Sequence, residues 1–134
     1  LGVRSMVLDH LARWPARTPL VFTDALADIA SDRERFEDIR TLAQKRSARL
    51  VAILLECEVG ENERRLTAPG RREQHKLTRV DVLEQLRSDA IPLLRPEAVD
   101  FVALDVTLLS ADAAADALNQ RIAAFSAPAS RSQE

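Results

Sequence analysis

This sequence predicts an α/β fold built on a parallel sheet, and three observations lead to that class. Three apolar runs of strand length, PLVFTD at 19–24, LVAILLEC at 50–57 and FVALDV at 101–106, are separated by segments whose apolar residues follow a helical period. The runs are continuously apolar at their centres, as in strands covered on both faces. Each run closes on acids: Asp24, then Glu56 with Glu58, then Asp105. Strands joined through helices give a three-layer α/β/α arrangement, with three strands expected in this chain.

The elements follow in order. Over 3–13, Val3, Met6, Val7, Leu8 and Leu11 recur at spacings of three and four, an amphipathic helix that Trp14-Pro15 ends. The run at 19–24 is the first strand. Ser31 and Asp32 are candidate N-caps for a helix over 33–46, with Glu34 close enough to Ser31 for a capping box. Phe36, Ile39, Leu42 and Ala43 give that helix its inward face. The second strand, 50–57, is bounded by charge on both sides. One or two helical turns follow at 61–66, broken by Pro69-Gly70. A helix over 80–89 turns Val82, Leu83 and Leu86 inward, and the third strand is 101–106. Ser110 caps a last helix over 111–125, with Asp112 and Asp116 near the positive end of its dipole. The small, polar segment 126–134 is expected to be a disordered tail, leaving one domain over 1–125.

Composition narrows the classes. The chain has 134 residues, 46% apolar and 30% charged, which suits a globular domain with a core of its own. A net charge of −2 gives no bulk attraction to nucleic acid or to an anionic membrane. No apolar run has the roughly 20 residues needed to span a bilayer. Cys57, the single cysteine, cannot form an internal disulfide and fits a reducing, cytoplasmic setting. His10 and His75 have no ligand partner at metal-binding spacing.

Chemistry concentrates between Glu56 and Arg72. The second strand opens into a loop carrying Arg64, Arg65, Arg71 and Arg72, and ligands in such sheets bind beyond the carboxyl ends of the strands. A guanidinium presents a planar fork of donors that meets two phosphate oxygens at once. Arg65 and Arg71 are therefore the first candidates for phosphate contact, with Arg64 and Arg72 beside them. The bland alternative is that Arg64 and Arg65 pair with Glu61 and Glu63 on a solvated helix face, where such pairs contribute ~0–1 kcal/mol. Asp24 ends a strand as well. It could hold a magnesium ion through water or take a proton from an acceptor hydroxyl; strand ends also accept polar residues simply because they meet solvent.

Three segments, VFTDALAD at 21–28, ILLECEVGENERRLTAPGRREQHKLT at 53–78 and ALDVTLLSADAAADAL at 103–118, together resemble the later part of a P-loop kinase of the gluconate, shikimate and zeta-toxin-like group. The resemblance covers the chain to about 125. It implies that Asp24 stands at the acceptor site, that Arg65 and Arg71 belong to a lid over the ATP phosphates, and that Thr107 and Leu108 flank the adenine. ATP and Mg2+ are the implied cofactors, a small hydroxyl metabolite the implied acceptor, and phosphoryl transfer the implied reaction. Such kinases grip the β- and γ-phosphates with a GxxxxGK[ST] loop. Here the only glycines are Gly2, Gly60 and Gly70, and GK[ST] does not occur. With Leu1 in first place and few strands for such a sheet, the expectation is a rear portion lacking that loop, inactive in isolation. By the same resemblance a strand is missing from within the sheet. A second expectation, from a different class, is therefore a non-catalytic module that docks on a partner completing its sheet.

Overall fold

The computed structural model describes residues 2–71, 78–88 and 91–126. The chain divides into two compact units, 1–50 with 86–99, and 51–85 with 100–134. They are described in turn.

The first unit is built on two helices, α1 (Val3–Leu11) and α2 (Ala30–Lys45), which pack on each other. Leu42 of α2 is buried, and Phe36, Ile39 and Ala43 are half-buried beside it, the face read from their spacing. The start of α2 differs from expectation. It begins at Ala30 with Ile29 as N-cap and no side-chain cap, so Ser31 and Asp32 lie within its first turn. The Asp32 carboxylate reaches back instead to the Ala27 N–H at 2.9 Å, fixing the approach to the helix. Of the apolar face expected for α1, Val3, Met6 and Val7 are exposed, and Leu8 and Leu11 are half-buried.

Arg46, just past α2, is 8% exposed. Its guanidinium donates to the carbonyls of Trp14 at 3.2 Å, Pro15 at 2.7 Å and Thr18 at 2.7 Å. A buried cation is tolerated only when its donors are satisfied, and here it ties the 14–18 turn to the end of the helix.

The second unit holds the sheet. Strands β1 (Val51–Glu56) and β2 (Asp100–Asp105) run parallel, in a register pairing Val51 with Asp100 and Glu56 with Asp105. Helices α3 (Val59–Leu66) and α5 (Ala111–Ser126) follow them, α5 packing on β2. Helix α4 (Val80–Ser88) completes the set, the boundary between the units falling within it. The Ser110 hydroxyl accepts the Ala113 N–H at 3.1 Å, the expected cap of α5. Beyond α3 the chain reverses at Pro69-Gly70, where Gly70 takes φ +85 and Arg71 N–H turns back to the Ala68 carbonyl at 3.4 Å. The side chains of Leu83 and Leu86, and residues 127–134 of the expected tail, lie outside the described residues.

The sheet has two described strands, not three. Residues 19–24 form no strand: Val21 is 89% exposed, Phe22 is exposed too, and the backbone N–H groups of 20–24 find no backbone partner among the described residues. A continuous apolar run reports a demand for burial but supplies no neighbouring strand, and a strand exists only through pairing. Among the described residues the chain is mixed α/β with one parallel pair of strands. No described helix is long and apolar enough to cross a membrane.

Candidate functional site

The carboxyl ends of β1 and β2 are closed by a hydrogen-bonded junction. Asp105 Oδ1 accepts the Thr107 N–H at 2.8 Å and the Thr107 hydroxyl at 2.6 Å. These donors hold the Asp105 carboxyl below its usual range. Thr107 Oγ1 in turn accepts the Glu58 N–H at 2.8 Å, joining the two strand ends. The Glu58 carboxylate caps α3 through the Glu61 N–H at 3.0 Å.

Arg65 completes the junction. Its Nη2 donates to the carbonyls of Val106 at 2.9 Å, Thr107 at 3.0 Å and Leu109 at 3.1 Å, while Nε donates to Glu61 Oε1 at 2.6 Å. Arg64 takes the same carboxylate through Nε at 2.6 Å and Nη2 at 2.7 Å. Glu61, gripped first by Arg64 and then by Arg65, is held down to about 2.

The described residues among those named from the sequence take the following places. Arg64 and Arg65 meet on Glu61, as the bland alternative expected; Arg65 further turns inward to the 106–109 carbonyls, some 41 to 44 residues away in sequence. Thr107 belongs to the same junction. Arg71 is half-buried in the turn after α3. Arg72 and His75 lie outside the described residues. Asp24, in the first unit, accepts the Ala25 N–H at 3.0 Å and lies 4.0 Å from Arg4.

A magnesium nucleotide asks for cations that can turn to phosphate and for clustered hard ligands. Arg64 and Arg65 are engaged by their own chain, and no described group of three or more His, Cys, Asp or Glu side chains is arranged to hold a metal ion. The described residues alone do not fit that group. A cleft of about 360 Å³ opens between α1 and α2, lined by charges of both signs, Arg4 and Lys45 with Asp9 and Asp38.

The resemblance left a strand missing from within the sheet, but composition and spacing did not single out the outer edge of β1. The Glu56 carbonyl accepts the Val106 N–H at 2.8 Å, so the backbone groups of Ala52, Leu54 and Glu56 face β2. Those of Val51, Ile53 and Leu55 face outward, where no described strand lies. Side chains paired in register share a face, yet Val102 and Leu104 are each 5% exposed while their partners Ile53 and Leu55 are 41% and 51% exposed. The opposite edge is treated differently: the Ala103 carbonyl, which faces away from β1, accepts Arg121 of α5 at 2.5 Å. An apolar run alone carries no signal that separates a covered strand from one left open.

Comparison with protein-family models, with curated proteins and with solved structures finds no match to this chain.

Proposed function

We propose that the chain is an interaction module whose β1 edge accepts a strand from another polypeptide. One observation carries this reading: apolar Ile53 and Leu55 are exposed on a strand edge that no described strand pairs with, directly beside the buried Val102 and Leu104. Natural proteins blunt open edges with charge, proline or a covering helix because such edges recruit other strands. Here the β2 edge has Arg121 at Ala103, and the central positions of β1 carry only apolar side chains. Strand addition draws affinity from backbone hydrogen bonds and specificity from alternate side chains.

The phosphoryl-transfer reading rests on the resemblance. The geometry lends it less, because Arg64 and Arg65 serve Glu61 and the 106–109 turn. Docking is tested by placing a photo-crosslinking residue at Leu55 in the producing cell, with Leu108, 95% exposed on the turn after β2, as the control position. A discrete adduct to another polypeptide at position 55, absent at 108, supports docking. No adduct at 55, or the same adducts at both positions, contradicts it.

A further inference from the structure

The two edges of the sheet differ in how their backbone is met. The Val106 N–H bonds to Glu56 of β1, so by the two-residue alternation of a strand Leu104 and Val102 also turn their backbone groups to β1, while Ala103 and Asp105 turn theirs outward. At that outer edge Arg121 of α5 donates through Nη1 to the Ala103 carbonyl at 2.5 Å, and Asp105 is exposed at the end of the strand. The outward-facing residues of β1, Val51, Ile53 and Leu55, are all apolar. We infer that Arg121 sets which edge of the sheet accepts a strand: its guanidinium closes the β2 edge and confines addition to the β1 edge. The inference rests on the docking reading and deepens it, by naming the residue that gives it a side.

Ala103 is the middle outward position of β2, so a strand laid along this edge, parallel or antiparallel, needs its N–H and C=O. Arg121 already holds that carbonyl, and no described carboxylate pairs with Arg121. An incoming strand must displace the guanidinium or bury it. A hydrogen bond from a charged donor is also stronger than the neutral amide bond that would replace it. Charge along an edge strand is a device by which proteins keep sheets from joining. Ile53 holds the same middle place on β1, and no described side chain donates to its carbonyl. The guard is set by the fold: Arg121 lies 18 residues beyond Ala103, and α5, packing on β2, brings it back to the strand.

Purified chains carrying Leu55→Lys, whose ammonium blunts the β1 edge, isolate the β2 edge for the test. Sedimentation across the micromolar range compares Leu55→Lys alone with the same chain carrying Arg121→Ala, Arg121→Lys, or Arg121→Ala together with Ala103→Pro. Arg121→Ala should tighten self-association about tenfold, because one charged hydrogen bond no longer has to be broken. Arg121→Lys should stay close to Leu55→Lys alone, since an ammonium can serve a single carbonyl. Ala103→Pro removes an outward N–H that β1 does not use, so it blunts the edge by a second route and should reverse the effect of Arg121→Ala. Slow amide exchange at Val102 and Leu104, which face β1, shows that a variant keeps its sheet.

Association unchanged by Arg121→Ala, equal in the Ala and Lys variants, or not reversed by a folded proline variant would overturn the inference. So would loss of amide protection in Arg121→Ala, which would make Arg121 a support of the sheet and not a guard of its edge. Should the proline variant lose that protection, the Ala and Lys variants decide alone. A tenfold gain without any Leu55 adduct would remove the docking reading and leave the guard; an adduct without the gain would do the reverse.

Discussion

Arg65 and Thr107, 42 residues apart in sequence, are joined at 3.0 Å through guanidinium and carbonyl, and the bond locks the turn after β2 onto α3. The same guanidinium holds the carbonyls of Val106 and Leu109. Arg65→Ala should cost about 2 kcal/mol, the scale of hydrogen bonds to a charged group lost together with their geometry. Arg65→Lys should recover little, since an ammonium lacks the planar fork. Urea unfolding measures both; a loss under about 0.5 kcal/mol, the range of an ordinary surface change, would contradict the clamp.

Acid should loosen the same junction. Glu61 ionises at about 2 in the folded chain, below its ordinary value of 4.5, because Arg64 and Arg65 donate to it. A depressed carboxylate stabilises above its unfolded value and loses that contribution as pH falls toward its folded value. Thermal unfolding of the wild type and Glu61→Gln should therefore differ at pH 6 and converge between 4.5 and about 2. A difference that stays constant across that window would show that Glu61 acts through something other than its charge.

Arg46 is the counterpart in the first unit. Buried, and bonded to the carbonyls of Trp14, Pro15 and Thr18, it should cost about 3 kcal/mol when replaced by Met, which keeps the stem but leaves those carbonyls without their donor. Denaturant titration reads the loss, and a near-neutral result would mean that water replaces the guanidinium there.

The two strands should respond oppositely to substitution. Leu104→Ala, at a buried position, should cost about 3 kcal/mol. Leu55→Lys, its exposed partner in register, should change stability by no more than about 0.5 kcal/mol while weakening docking at the β1 edge. Equal costs at the two positions would mean that the face is covered across both strands.

Much of the fold was legible. The strands at 50–57 and 101–106, the α5 cap at Ser110 and the break at Pro69-Gly70 all follow from local pattern, which is where period and turn chemistry act. What failed needed knowledge of neighbours. Residues 19–24 have the composition of a buried strand, and only the missing partner makes them an exposed segment. The pairing of Arg64 and Arg65 with Glu61 was visible at helical spacing. The commitment of Arg65 to 106–109 was not, because backbone carbonyls leave no mark in a sequence. Nor could spacing show that Arg46 is buried.

Amide exchange along β1 tests the central claim most directly. In the dilute chain the N–H groups of Ala52 and Leu54, which face β2, should exchange slowly, and those of Ile53 and Leu55 should exchange fast. Uniformly slow exchange from Ala52 to Leu55 in the dilute chain would mean that the edge is already occupied within one molecule, and the docking account would be wrong.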